Sequence, residues 1–390
     1  MLAPPAPTLT AQWRSFAELA PLREQWRTLA ERALEPNVFY EPAFALAAAP
    51  VFHPQAGALC VTTARGDLTG LIPLVTEQRR YGFSLPLLSV MTHPFGPLGT
   101  PLLAREDPEA VIGTALDHLR HDKTMPRILR MPLLPDGPFA AALERALQQR
   151  NLPFRQFNRH RRALLAPGDA RAGYLDRAIG AKMRKEFRRV RRRLSELGTL
   201  THQQATAAPD VMRMLEQFLT LESKGWKGRA GSAAAQRADI LAFMRQAVGD
   251  LAREGKARAD LLVLDGRPLT AIVTLRSGDT AWSWKIAYDE DFARYSPGVQ
   301  VMLDLSQALL DDATLKRVDS CATADHPMID HLWRERLPLG DWMILLDPRA
   351  RLPFATACLF EQCRGIAFAA GRKLRGTLRR IRPARAASGG

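Results

Sequence analysis

Two adjoining stretches decide the fold: Trp282-Ser283-Trp284-Lys285-Ile286-Ala287-Tyr288, and then Arg294-Tyr295-Ser296-Pro297-Gly298-Val299-Gln300. The first lies in an apolar, aromatic run, and the composition predicts a strand from Thr280 to Tyr288. The second reads as a helix start running from Pro297 to Leu310. Proline suits the first helical turn because its missing N–H would be unpaired there anyway. Ser296 is placed to cap, and Gly298 removes a Cβ that would hold an anion off the backbone. The first amides of a helix are unpaired and sit at the positive end of its dipole, so a phosphate fits there. The alternative is that Ser-Pro-Gly only begins a helix.

Working outward, residues 172–197 read as a long basic helix closed by Gly198, and 209–223 and 233–254 as amphipathic helices. Residues 259–264 and 268–277 form a predicted hairpin around Asp265-Gly266-Arg267. Strand 317–320, helix 326–336 and strand 339–346 follow, and 353–380 reads as an amphipathic helix. In the first half, Ser15 and Glu18 form a capping box opening a helix to about Leu34. A hairpin joins 59–64 to 68–75. Residues 85–103 are Pro- and Gly-rich and read as irregular, with a short strand at 87–91. Helix 107–121, strand 127–134, helix 139–149 and an extended stretch 154–165 complete it. Gly66-Asp67-Leu68-Thr69-Gly70-Leu71-Ile72 resembles Gly266-Arg267-Pro268-Leu269-Thr270-Ala271-Ile272, in a matching order of elements. The expected fold class is therefore α/β (α+β), with two similar halves, 1–165 and 166–348. Each is a mixed twisted sheet flanked by helices, and a basic tail spans 349–390.

The 390 residues are 46% hydrophobic and 24% charged, a globular composition. The four cysteines show no metal-ligand spacing, so no metal site is expected, and they read as reduced thiols. Neither a leader-like N-terminus nor an apolar run of about 18 residues is present in the sequence. The expected location is cytoplasmic, with peripheral association at the inner face of a membrane as an added option. The net charge of +15 is concentrated. Residues 171–196 hold ten Lys/Arg against three Asp/Glu, and 349–390 hold ten against one; the remainder carries 35 basic and 36 acidic residues. Two segments thus carry the whole excess and suit an anionic partner: a tRNA, an anionic glycan or a membrane surface. A solvated face is the alternative for the first, and a helix packed on the body for the second.

Several residues are candidates for chemistry. Asp319 ends a predicted strand and is either a base or substrate anchor, or the cap of the next turn. His326 titrates in the useful range, or caps a helix before Pro327. Lys285, on strict alternation, shares a face with Ser283 and opposes both tryptophans, where it could bind a carboxylate or phosphate. Tyr288 and Tyr295 could protonate a leaving thiolate. Trp226-Lys227-Gly228-Arg229 reads as a basic loop that either covers substrate or ends a helix at Gly225.

The order of strands and helices from 261 to 346 resembles the GNAT acyltransferase fold. Leu221-Glu222-Ser223-Lys224-Gly225-Trp226-Lys227-Gly228-Arg229, Trp284-Lys285-Ile286-Ala287-Tyr288-Asp289, Tyr295-Ser296-Pro297-Gly298 and Asp319-Ser320-Cys321-Ala322 resemble blocks of the CelD-like acetyltransferases. These are similar in turn to FemAB-like transferases, which carry two GNAT-like halves. The resemblance implies acetyl-CoA or another acyl-CoA as co-substrate, held by Arg294, Ser296, Pro297, Gly298 and Val299. It also favours a site role for Trp226 and Lys227 and implies an acceptor that is a sugar or cell-envelope precursor; the residue readings above add Asp319, Tyr288 and His326 as catalytic candidates and Trp284 and Lys285 as substrate contacts. In the usual loop an arginine or glutamine stands three residues before the first glycine; here Arg294 stands four before Gly298, and Gln300 occupies the last small position. The alternatives are a FemAB-like aminoacyl transferase using charged tRNA, and a non-catalytic protein that keeps the fold.

Overall fold

Among the described residues, thirteen strands join in one sheet whose two ends repeat each other. The computed structural model describes residues 8–381, with side chains to 367. In the first half the strands are β1 (Leu9–Ser15), β2 (Gly57–Thr63), β3 (Leu68–Arg80), β4 (Phe83–Val90), β5 (Leu102–Leu103), β6 (Ile128–Pro135) and β7 (Phe154–Leu165). The second half supplies β8 (Leu200–Ala205), β9 (Ala257–Leu264), β10 (Arg267–Ser277), β11 (Thr280–Tyr288), β12 (Arg317–Asp319) and β13 (Glu335–Leu345). Their order is β1-β2-β3-β4-β6-β13-β7-β12-β11-β10-β9-β8, with β5 beside β3. Each half is an antiparallel array ending in one parallel pair, β4 with β6 and β11 with β12. The predicted tandem mixed sheet is what the chain forms.

The last strands are exchanged. β13 pairs with β6 of the first half, and β7 pairs with β12 of the second, while β7 and β13 run antiparallel at the centre. A boundary at 165/166 therefore divides the chain but not the sheet. The cores also merge. Phe44 meets Phe243 edge-on at 5.3 Å and Trp284 at 5.8 Å, and Phe39 meets Trp282 at 5.8 Å. Burying each of these rings contributes ~2–3 kcal/mol, so one continuous apolar core holds the halves together. Arg23–Asp250 at 2.9 Å and Arg27–Glu254 at 2.8 Å tie its rim.

Several expected elements differ. The first helix is broken, with a turn at Phe16–Leu19, a tight turn at Ala20–Leu22 and a helix at Arg23–Glu31; Pro21 supplies no amide to continue the first turn. The capping box of Ser15 and Glu18 is present. Strands β1 and β8 were not expected, because both are edge strands with alternating exposure and little apolar content. β4 is longer than the short strand read at 87–91. The basic helix spans Ala181–Ser195, preceded by a separate turn at Tyr174–Ala178. Residues 326–336 hold only a tight turn at Ile329–His331, and β13 starts at Glu335. Trp226–Arg229 is one helical turn where a loop was expected. The C-terminal helix runs Arg351–Ile381, so the helix expected at 353–380 is present; its side chains from 368 onward lie outside those described, and the part of the basic tail after 381 lies outside the described residues.

Candidate functional site

β11 and β12 part company early. They pair only through Thr280–Arg317, Ala281–Val318 and Trp282–Asp319. β12 then follows β7: the Ser320 amide donates to the Ala163 carbonyl at 3.2 Å, and Asp319 forms a buried ion pair with Arg162. β11 continues to Tyr288 against β10, so among the described residues its other edge has no strand partner from Ser283 onward. The wedge between them is a cavity of about 200 Å³ lined by Ser283, Lys285, Met302, Cys321, His326 and Met328, among others.

The alternation expected along β11 fails at one point. Val273 pairs with Lys285 but Thr274 pairs with Ser283, so Trp284 is the extra residue of a β-bulge. Ser283, Trp284, Lys285 and Ile286 consequently all line the wedge. Trp284 is itself buried, and its indole donates to the Phe95 carbonyl at 2.6 Å. It joins the two halves, so its expected role as a substrate contact is confined to a wall.

Lys285 is half-buried, with its ammonium 3.9 Å from the Phe95 ring centre and 3.4 Å from the Pro94 carbonyl. Burial, and then Lys227 beside it, pull its pKa down to about 8. Lys227 bonds Glu222 at 2.6 Å, and the other oxygen of Glu222 accepts the Ala234 amide at 2.9 Å. Glu222 was not singled out in the sequence; its spacing from Lys227 crosses a helix end, so no helical periodicity links them. Trp226 is exposed and its amide donates to Glu290 at 2.6 Å; together with Tyr288 and Lys227 it borders a smaller hollow of about 50 Å³. Burial pushes the Cys321 thiol well above its ordinary pKa, so it is a protonated wall group rather than a nucleophile.

The helix start is narrower than the sequence suggested. Ser296 is left-handed (φ 48°, ψ 51°), and its side chain makes no capping bond. Its carbonyl instead accepts the Val299 and Gln300 amides at 2.9 and 3.2 Å. With Pro297 lacking a donor, Gly298 supplies the one early amide outside that pattern. Gly298 and Pro297 are buried, and a Cβ on Gly298 would meet Ile286 at 3.6 Å and Met328 at 3.7 Å, both wedge residues. Arg294 is exposed and lies over the Tyr295 ring at 4.8 Å. Gln300, out of place for a glycine-rich loop, donates to the Phe187 carbonyl at 3.2 Å and ties this corner to the basic helix.

Two catalytic expectations need correction. Asp319 is not a free base: one oxygen pairs with Arg162, the other accepts the Cys321 amide at 3.0 Å, and the residue lines a separate cavity of about 20 Å³. It holds β12 against β7 and so props the wedge open. His326 does border the wedge, but its Nδ1 accepts the Met328 and Ile329 amides at 3.3 and 3.5 Å. Burial lowers its pKa, so the ring is neutral at pH 7. An accepting Nδ1 leaves the proton on Nε2, which makes His326 a hydrogen-bond donor rather than a base.

The matching place in the first half is closed. β4 and β6 pair only at Leu88–Leu129 and Ser89–Arg130. The chain that leaves β4 turns back into the gap, and the Gly99 amide donates to the Leu133 carbonyl at 3.2 Å. A Cβ on Gly99 would fall 1.9 Å from the Pro132 carbonyl oxygen, so only glycine fits. Asn37 fastens the same loop through the Thr100 carbonyl at 2.8 Å.

Residues 181–326 match the acetyltransferase (GNAT) domain family, so the second half carries a GNAT domain. No curated protein sequence matches the chain. The structure is similar to that of FemX, with a TM-score of 0.56 at 10% identity over 85% of this chain and 98% of that one. It is also similar to the C-terminal domain of a putative lysylphosphatidylglycerol synthetase from Agrobacterium fabrum, with a TM-score of 0.54 at 13% identity over 88% and 95% of the two chains. A conserved protein of unknown function from Bacteroides thetaiotaomicron gives 0.55 at 10% identity over 87% and 100%. At such identities these likenesses speak for the fold alone.

Proposed function

We propose that the protein is an acyltransferase that lays an acyl-CoA along the free edge of β11 and passes the acyl group to an amine or hydroxyl of a sugar or cell-envelope precursor. The observation that carries this reading is the unpaired strand edge from Ser283 to Tyr288 beside the wedge. An exposed edge binds an extended chain of amides as it would bind a further strand, and the pantetheine arm of acyl-CoA is such a chain. The acceptor nitrogen or oxygen attacks the thioester carbonyl carbon, the carbon–sulfur bond breaks, and the proton lost by the acceptor ends on the departing thiolate. No covalent intermediate with the protein is needed. Lys285 as an ammonium, and the Nε2–H of His326, supply donors for the oxyanion that develops on the carbonyl. The Phe95 face and the Pro94 carbonyl both favour the charged lysine. The sugar or envelope acceptor rests on the CelD-like blocks of sequence.

Calorimetry with acetyl-CoA and desulfo-CoA tests the donor. Binding of both is expected, and wild-type protein that binds neither would leave a fold without this chemistry, as in an accessory protein. The pH profile tests Lys285. Its charged form predominates below about 8 and is lost as pH rises through that value, so turnover should fall above pH 8. In Lys285→Met that limb should vanish and kcat should drop by about ten- to a hundredfold. An unchanged profile in the variant would remove Lys285 from the reaction.

One observation favours a second reading, an aminoacyl transferase fed by charged tRNA. Lys182, Lys185, Arg188, Arg189 and Arg192 are exposed on the helix whose Phe187 carbonyl holds Gln300 at the wedge's corner. Binding of tRNA that weakens steeply with salt, without acyl-CoA binding, would decide for it.

A further inference from the structure

The C-terminal helix is fixed to the body by a buried carboxylate and the apolar side chains beside it, and shows solvent an apolar stripe. Glu361 is 1% exposed and accepts bonds from Tyr81 at 2.7 Å, Arg80 at 2.5 Å and Asn158 at 3.1 Å. Burial opposes its charge, but these three donors prevail and hold its pKa down to about 2. Phe354 and Ala357 pack beside it against Leu85, Leu87 and Met343, and Phe360 stacks on Tyr81 at 5.0 Å. The orientation of the helix is therefore set. Leu352, Leu359 and Ile366 are left 81%, 59% and 70% exposed. They stand seven residues apart, a spacing that drifts only about 20° per step and so keeps one line along the helix for roughly 21 Å.

We propose that this stripe lies in the headgroup layer of an anionic lipid bilayer, with the body of the protein held against the membrane. Charge selects the occupant. Residues 349–390 carry ten Lys/Arg and one acidic residue, and that acid, Glu361, is consumed inside the protein. A second copy of so basic a helix would repel the first. A nucleic acid would match the charge but has no use for exposed leucine and isoleucine. An anionic membrane takes both, because apolar side chains enter the acyl boundary while lysine and arginine meet lipid phosphates. Among the described residues no helix is long and apolar enough to cross a membrane, so this is a surface attachment.

Sedimentation of the full chain with vesicles tests it. The protein should pellet with phosphatidylglycerol-rich vesicles and far less with pure phosphatidylcholine vesicles. The triple variant Leu352→Gln, Leu359→Gln, Ile366→Gln should lose more than about tenfold in partitioning while keeping its melting temperature, since none of the three is buried. Failure of the wild type to pellet with either vesicle would overturn the proposal. So would a triple variant that partitions like the wild type, because charge alone would then suffice. A wild-type dimer that the triple variant splits, with no vesicle binding, would assign the stripe to self-association instead.

Discussion

The two halves build the same gap and treat it oppositely. In each, a strand pairs briefly with a parallel neighbour and then diverges, and a left-handed residue followed by proline starts the next helix. The corners nearly superimpose in conformation: Asp107 has φ 48°, ψ 56° before Pro108, and Ser296 has φ 48°, ψ 51° before Pro297. In the first half the gap is plugged by the loop carrying Gly99, and Asp107 turns its own carboxylate onto the Ala110 amide at 3.3 Å. A negative side chain already occupies the helix end that an anion would use. In the second half the wedge is empty of chain and Ser296 makes no such bond. Duplication of a fold thus does not duplicate a site; one copy is spent on stability, and the first half's Phe95 becomes part of the wall around Lys285.

Five substitutions test this contrast. The largest effect is expected from Asp319→Ala, which strands Arg162 in a site where both side chains are almost fully buried. The loss should be ~3–5 kcal/mol in urea denaturation, and a loss below ~1 kcal/mol would mean that the ion pair does not prop the wedge. Next, alanine at the two loop and corner glycines should act with different force. Gly99→Ala drives a Cβ into a backbone oxygen and should cost ~2–3 kcal/mol, while Gly298→Ala meets only ordinary contacts and should change stability by less than ~1 kcal/mol. Equal shifts in melting temperature would erase the distinction between plugged and open gaps. The smallest effect separates the corners: Asp107→Ala should cost ~1 kcal/mol through the lost cap, and Ser296→Ala almost nothing, because its hydroxyl caps no amide. Chemical denaturation of both variants side by side checks the difference.

Local periodicity made the architecture readable. The paired hairpins at Gly66 and Gly266, the Pro297 helix start and the basic helices all announce themselves within a few residues, and so the tandem halves were legible. The edge strands β1 and β8 were not, because an exposed edge needs no apolar run. The exchange of β7 and β13 leaves no trace in local sequence at all. At the site, Lys285, Lys227 and His326 were legible by residue type, but their chemistry was not. A bulge at Trp284 decides which side Lys285 occupies, and the partner that removes Asp319 from catalysis, Arg162, comes from another strand 157 residues away. Ion pairs across such distances in the chain are set by topology, not by spacing.

The strand exchange also governs how the chain can assemble. β6 completes its pairing with β13, where Leu129 meets Ile344, so a strand made early waits for one encoded about 200 residues downstream. While translation proceeds, the first half carries an open, hydrogen-bond-hungry border, and contacts this distant in sequence form slowly. The nascent protein is thus committed to a late closing step, and truncation anywhere before residue 345 leaves both halves unfinished together.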